Sequence, residues 1–281
     1  MQNKTVVVTG GTSGIGEVAA LNLAGQGARI VLIARDHARA DATVAKLKAA
    51  NPSAAHTVHI ADLSALAGMK RAATEIAAAE PRIDVLVNNA GAVFLSREES
   101  TDGLEMTFAT NHMAYFVVTN ILLPNLKATP GARIVSTASD AHKAGRLDFD
   151  DLQSEKSYGA FRAYGTSKLC NILFTRELAK RLGGSGVTAN CLHPGFVGTR
   201  FGQNNATNIL LKGLAGLIMT FGLKPEDGAK TIIHLASSPD VATISGEYFY
   251  KCKVIEPSLA AQNDADAARL WDVSAQIAGF G

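Results

Sequence analysis

The apolar positions of this chain change their period along its length. Short runs of β-branched and aliphatic residues alternate with longer stretches in which apolar side chains recur every three or four positions. The first pattern reads as buried strand and the second as helix. Strands are expected at residues 5–9, 30–33, 58–60, 83–87 and 132–137. Helices are expected between them at 15–24, 37–49 and 66–79, with a long helical region at 104–126. Further on, 168–182 reads as helix and 187–192 as a sixth strand. Residues 225–236 read as a helix opened by Pro225 and Glu226, and 247–250, after Gly246, as a last short strand. This rhythm predicts an α/β, three-layer, doubly wound fold in which a parallel sheet is covered by helices on both faces. No repeat of fixed period and no Pro- or Ser-rich linker divides the chain, so one domain over residues 1–281 is expected.

Composition narrows the class. With 281 residues, 47% hydrophobic and 19% charged, the chain has enough apolar material for a well-buried core. A formal net charge of +2 and the lack of a basic run leave no electrostatic footprint for nucleic acid. Cys170, Cys191 and Cys252 are odd in number and widely spaced. Neither a disulfide framework nor a C-x-x-C site is expected, and a reducing compartment is. No leader pattern precedes the first strand, which adds to the expectation of a cytoplasmic protein. Residues 209–223 are strongly apolar but contain Lys212 and three glycines, and they are too short for a comfortable membrane span. They read as ordinary core, as an apolar pocket wall, or as a helix in peripheral contact with a membrane. His112, His142 and His193 lack metal-ligand spacing, so no metal site is expected.

The strongest local signal is Thr9-Gly10-Gly11-Thr12-Ser13-Gly14-Ile15-Gly16, which joins the first strand to the first helix. Gly10 permits the turn, Gly14 lets the backbone approach a bound group, and Gly16 lets the helix pack close to the sheet. The unpaired N–H groups of that helix then face a pyrophosphate. Three residues separate Gly10 from Gly14, unlike the plain G-x-G-x-x-G form, and no Lys follows Gly16 as in a Walker A loop. Arg35 and Asp36 close the second strand. A carboxylate there suits the 2′-hydroxyl of NAD, whereas a guanidinium can grip the 2′-phosphate of NADP through paired hydrogen bonds. Arg35 comes first, and NADP is the expected cofactor, with Asp36 as the competing candidate. Asp62, followed by Leu63, can accept from an adenine amino group or cap the next helix. Asn88-Asn89-Ala90-Gly91 ends the fourth strand, where small residues admit the adenosine ribose and Asn side chains can also satisfy backbone groups.

Tyr164 and Lys168 are four residues apart and share a helix face. A phenol titrates near pH ~10, and a neighbouring ammonium lowers that value. Lys168 can also hold the nicotinamide ribose. Ser139, just beyond the fifth strand, can bind the substrate oxygen, with Ser136 and Thr137 as alternatives. Asn111 is locally unfavourable within a helix, and either holds a water that links Lys168 to solvent or is a satisfied helical Asn. His193, Phe196 and Tyr158 are candidates to approach the substrate.

These residues carry a resemblance. Residues 9–16 and 88–91, Asn111, Ser139, Tyr164-x-x-x-Lys168 and Pro194-Gly195, in that order, resemble the classical short-chain dehydrogenase/reductase family over about residues 4–250. Asn111-His112, Ala141-His142, Gly145-Arg146, Asp150-Asp151-Leu152, residues 164–171 and residues 270–274 are similar to its retinol dehydrogenase–like branch. The resemblance implies a Rossmann fold with a seven-stranded parallel sheet. It implies Ser139, Tyr164, Lys168 and Asn111 as catalytic residues, and Pro194, Gly195, Val197 and Thr199 beside the nicotinamide. It further implies a variable substrate cover at about 196–224, NADPH as the common cofactor, and an apolar alcohol, aldehyde or ketone as substrate. Homodimers or homotetramers would form through the helices around Asn111 and Lys168. Ser139 and Tyr164 stand 25 residues apart, a longer separation than many family members have but one this branch shares. Membrane-bound relatives carry an apolar anchor before the first strand, which this sequence does not show. The expected activity is NADP(H)-dependent interconversion of an alcohol and a carbonyl. The alternatives are a reductase or epimerase of different chemistry, and a non-catalytic NADP sensor, against which the intact Tyr164 and Lys168 argue.

Overall fold

The computed structural model describes residues 1–196 and 224–280. Val197, Thr199 and the apolar stretch 209–223, hence nearly all of the expected substrate cover, lie outside the described residues.

The strands are β1 (Thr5–Thr9), β2 (Arg29–Ala34), β3 (Thr57–Ile60), β4 (Val85–Asn88), β5 (Arg133–Thr137), β6 (Thr188–Leu192), β7 (Tyr248–Tyr250) and β8 (Lys253–Val254). They form one sheet in the order β3-β2-β1-β4-β5-β6-β7-β8. The first seven pair in parallel, as the family resemblance implies. An eighth, two-residue strand adds antiparallel to β7. The order reverses direction between β1 and β4, which opens a crevice beyond the carboxyl ends of those strands.

Alternation along each strand divides the core in two. Val7, Val31, Ile33, Leu86 and Ile134 face one side, and Val6, Val8, Ile30, Leu32, Val85, Val87 and Val135 face the other. On the second side lie α1 (Gly14–Gly25), α2 (His37–Ala50) and α7 (Pro225–Ser237). The first side is covered by α3 (Leu66–Ala79), α5 (Ala114–Lys127), α6 (Ala160–Arg181) and α8 (Asp264–Ala278). Each fully buried Leu, Ile or Val contributes roughly 1.5–3 kcal/mol by leaving water. Strands buried on both faces therefore cannot slip register or reverse without exposing half their side chains.

Three helices depart from the pattern reading. The region expected as one helix over 104–126 is broken into α4 (Met106–Phe108), a π turn (Ala109–Met113) and α5. Helix α6 begins at Ala160 rather than 168, because Phe161, Tyr164, Gly165, Thr166 and Ser167 are poor helix formers that tertiary packing overrides. Helix α8 was not anticipated, although its signals are local. Asn263 caps it by accepting from the Ala265 and Asp266 N–H groups, and Gly279, at φ 66°, ends it in the left-handed region. Among the described residues no helix is long and apolar enough to cross a membrane.

The long connection between β5 and α6 is held at one close backbone approach. A Cβ at Gly145 would sit 2.5 Å from the Gly165 carbonyl oxygen, and one at Gly165 would sit 2.7 Å from that of Ala141. Thr166 secures the contact, accepting from the Arg146 N–H at 3.2 Å and donating to the Arg146 carbonyl at 3.0 Å. Gly145→Ala and Gly165→Ala are each expected to destabilise the protein by about 1–3 kcal/mol, read as a lower urea midpoint at unchanged slope.

Candidate active site

The turn from β1 into α1 is built against the end of β4. Gly10 has φ 66°, and a Cβ there would lie 2.7 Å from the Ala90 Cα. A Cβ on Gly16 would collide with the Gly10 carbonyl and the Asn89 amide. The Asn89 side chain donates to the carbonyls of Gly10 (3.1 Å) and Thr9 (3.4 Å). The Thr9 hydroxyl in turn accepts the N–H groups of Asn89 (2.9 Å) and Ala90 (3.0 Å). Ser13, at the start of α1, is extended at φ −165°, and its side chain makes no capping bond. The first turn of α1, from Gly14 (φ 56°), therefore keeps donors and positive dipole density for an anion. Thr12, Ser13, Gly14 and Ile15 all retain accessible surface there.

At the end of β2 the structure separates two residues that the sequence left in competition. The Asp36 carboxylate caps α2, accepting the Arg39 N–H at 2.8 Å. Arg35 is exposed, and its guanidinium has no hydrogen-bond or ion-pair partner among the described residues. Asp62 uses one carboxylate oxygen for the Ser64 N–H and hydroxyl, both at 2.9 Å, so it organises the turn before α3. The Leu63 side chain belongs to the core. The Asn88 side chain is fully buried and donates to the Thr119 hydroxyl at 2.9 Å. Asn89 is the residue that shapes the cradle, and only the fold reveals its partners. Gly91 faces the chemistry: a Cβ there would stand 3.2 Å from Asn111 Oδ1 and 3.5 Å from Lys168 Nζ.

Helix α6 and the turn after β5 bring Ser139, Tyr164 and Lys168 together. The Ser139 side chain accepts the Ala141 N–H at 3.2 Å and is hydrogen-bonded to the Tyr164 hydroxyl. Ser136 is fully buried, and the Thr137 hydroxyl is donated to Asn89 Oδ1 at 3.3 Å, so neither alternative meets the phenol. Lys168 is 2% exposed, donates to the Thr137 carbonyl at 2.9 Å, and lies 5.6 Å from the Tyr164 ring centroid and 5.7 Å from that of Tyr115. Asn111 sits in the π turn. Its Oδ1 accepts the Ala92 N–H (2.7 Å), and its Nδ2 donates to the Ala92 carbonyl (2.9 Å) and to the Ser167 hydroxyl (3.0 Å). The side chain thus joins the loop after β4 to α6. These bonds, together with the π geometry, offset the local penalty of a helical Asn.

The remaining candidates serve the walls. Tyr158 donates to the Phe94 carbonyl at 2.8 Å, which ties the β5–α6 connection to the loop after β4. His193 stacks on Tyr250 with centroids 4.1 Å apart, and its Nδ1 accepts the Gly195 N–H at 3.3 Å, directly after Pro194. Phe196 is 62% exposed. Among the described residues no group of His, Cys, Asp or Glu could hold a metal ion.

Burial, rather than the charge of Lys168, dominates the titration of the pair. It pushes the Lys168 ammonium down to about 7. It pushes the Tyr164 phenol up to about 12, opposed by the Ser139 hydrogen bond. The lowering of the phenol expected from Lys168 does not arise here: desolvation sets the direction, and only the Ser139 hydrogen bond opposes it. For Lys168, the unfolded chain holds the proton up to 10.5 and the folded chain only to about 7. The unfolded state therefore binds more protons within that window, and folding becomes more favourable as pH rises through it. Below it the full burial penalty applies, on the order of a few kcal/mol. Lys168→Met is expected to raise the Tm of the protein without added cofactor by several degrees at about pH 6, measured by scanning calorimetry. That gain should disappear toward pH 10.5.

Comparison with known proteins agrees with this geometry. A family model described as short chain dehydrogenase matches residues 4–209. The chain is 41% identical to human (Homo sapiens) retinol dehydrogenase 14, covering 100% of this chain and 88% of that protein. An uncharacterized protein from Mycobacterium paratuberculosis superposes with a TM-score of 0.78 at 30% identity, covering 99% of this chain and 94% of the other. The Pseudomonas aeruginosa RhlG/NADP active-site complex gives a TM-score of 0.69 at 29% identity, over 89% of this chain and 94% of the other. The chain belongs to the short-chain dehydrogenase family, in its retinol dehydrogenase–like branch, and is accordingly an oxidoreductase that uses a nicotinamide cofactor.

Proposed function

We propose that this protein interconverts an apolar alcohol and its aldehyde or ketone with NADP(H), Tyr164 being the proton donor and acceptor. The observation that carries the reading is the Ser139–Tyr164–Lys168 cluster at the carboxyl edge of the sheet, its lysine buried and its Ser and Tyr half-buried, beside a helix with no side-chain cap and an Arg35 unpaired among the described residues. The residues fit the cofactor. Gly10 and Gly16 let the β1 turn, the start of α1 and the end of β4 pack at backbone distance, and the start of α1, with no side-chain cap, suits a pyrophosphate. Arg35 suits a 2′-phosphate, because its exposed guanidinium has no partner among the described residues while one oxygen of Asp36 serves the cap of α2. The solved relative RhlG, in its complex with NADP, supports the same choice.

When bound, NADPH supplies the hydride, and NADP⁺ accepts it in the reverse direction. Everything else falls to the chain. With its phenol raised to about 12, Tyr164 is protonated at neutral pH and can give a proton to a carbonyl oxygen as that oxygen gains charge. Ser139 orients the phenol and can share the substrate oxygen with it. Lys168, poised near 7, can replace the proton that Tyr164 gives up, and Asn111 keeps the loop after β4 fixed against α6. In oxidation the same groups work in reverse. Relatives named retinol dehydrogenase and the apolar sequence of 209–223 support an apolar substrate.

Tyr164→Phe is expected to bind NADPH nearly as well as the parent while losing about 10²-fold or more in kcat. Unchanged turnover in that variant, followed by NADPH absorbance, would remove the assignment. Arg35→Ala should weaken NADPH about 10-fold or more, the value of hydrogen bonds to a charged group, and leave NADH unaffected in fluorescence titrations. Specificity constants across matched short- and long-chain aldehydes should rise with chain length; a preference for small polar carbonyls would overturn the apolar assignment.

A further inference from the structure

Two buried histidines stand directly beside the candidate catalytic residues, and the chemistry above uses neither. His142 lies three residues after Ser139 and is fully buried. Its Nδ1–H donates to the Ser139 carbonyl at 2.8 Å, and its Nε2 accepts the Ser258 N–H at 3.1 Å. A carbonyl can only accept and a backbone N–H can only donate, so these two bonds define one neutral tautomer. Tyr248 packs edge-on against the ring at 5.2 Å. The nearby charges, Asp140 and Lys143, pair with each other at 2.7 Å.

His112 follows Asn111 in the π turn and is also fully buried. Phe108, Phe116 and Phe174 surround it with ring centroids at 5.1, 6.3 and 6.2 Å. Its Nε2 meets the hydroxyl of Ser274, on α8, at 2.8 Å. Burial pushes its basicity down to about 3, which keeps it neutral in that aromatic surrounding.

Ser258 and Ser274 both belong to the C-terminal part of the chain, beyond the last strand. The turn carrying Ser139 and the turn carrying Asn111 are therefore each tied, through a neutral histidine, to the same terminal segment. Docking that segment does not require these bonds. Trp271 already stacks on Phe174 (5.8 Å, 14°), meets Phe116 edge-on (5.0 Å) and lies under the Arg181 guanidinium (4.5 Å). Apolar contact supplies area without direction, whereas a buried hydrogen bond adds little net stability and fixes orientation. We infer that His112 and His142 are positioning residues through which the C-terminal segment sets the geometry of the turns bearing Asn111 and Ser139. This rests on the roles proposed for those two residues.

Three variants separate the links. Ser274→Ala removes the partner of His112 with little change in volume. His142→Asn keeps a donor for Ser139 and loses the Ser258 bond, and His142→Gln keeps an acceptor for Ser258 and loses the Ser139 bond. Amide hydrogen exchange is read at residues 109–113 and 139–144 in the protein without added cofactor. NADPH affinity is read by fluorescence titration, and kcat with a long-chain aldehyde. In Ser274→Ala and His142→Gln, exchange in the attached turn should quicken and kcat should fall about 10-fold or more, with NADPH affinity held within about two-fold. His142→Asn, which keeps the local Ser139 bond but cuts the link to Ser258, should likewise quicken exchange at residues 139–144 and lower kcat, with NADPH affinity held. In the parent protein, ¹⁵N shifts should show His142 neutral with its proton on Nδ1. Unchanged exchange at both turns, faster exchange at full kcat, a His142→Asn enzyme as protected and active as the parent, or equal loss of kcat and NADPH affinity would each overturn the inference. A parent protein that turns over no carbonyl would count against the proposed function alone, because exchange and histidine shifts still report on the two links.

Discussion

The Lys168 ammonium is kept from water by the body of the protein, and the rest of the crevice is arranged around that constraint. Sealing an ammonium in the interior is unfavourable by several kcal/mol unless partners or proton loss compensate. Both occur. The Thr137 carbonyl accepts from Nζ, the rings of Tyr164 and Tyr115 present their faces, and the group gives up its proton near neutrality. The same exclusion of water keeps the Tyr164 phenol protonated. A lysine that exchanges its proton near pH 7, next to a phenol that holds its own, is a pair suited to proton relay. Neither residue would have these properties on an exposed helix.

Such a pair is useful only if the groups around it are fixed, and backbone proximity provides this. Gly10 against Ala90 and Gly16 against Gly10 join the β1 turn to the end of β4, with Asn89 bonded across the junction. Gly145 against Gly165 draws the turn after β5 onto α6, so that Ser139 reaches Tyr164 despite the long connection between them. Asn111 supplies a third fastening, from the loop after β4 to Ser167 on α6. Most of these contacts join segments distant in the chain, and most admit no side chain at the point of approach. The glycines therefore act through the space they leave as much as through their backbone freedom.

The end of β2 shows how a local hydrogen bond distinguishes two adjacent candidates. Arg35 and Asp36 are adjacent, and each is a credible partner for a nucleotide ribose. One oxygen of Asp36 accepts a helix N–H as a cap, whereas the Arg35 guanidinium has no hydrogen-bond or ion-pair partner among the described residues. Asp62 follows the same rule, its turn-forming bonds to Ser64 engaging one of its oxygens.

The linear sequence by itself determined the parallel sheet and most of its helices. Hydrophobic period is a property of neighbouring residues, and strands buried on both faces leave it nearly unbroken from Val6 to Leu192. It also determined the glycine-rich turn and the Tyr164–Lys168 pairing, since both are spacings along one stretch of chain. Tertiary structure alone decided the roles that depend on distant partners. Asn89 rather than Asn88 shapes the cradle, Ser139 rather than Ser136 or Thr137 meets the phenol, and a π turn replaces a plain helix at Asn111. The early start of α6 and the shifted titration of its Tyr and Lys belong to the same class. Poor local propensity is overridden by packing, and desolvation arises only when the whole fold has closed around a group.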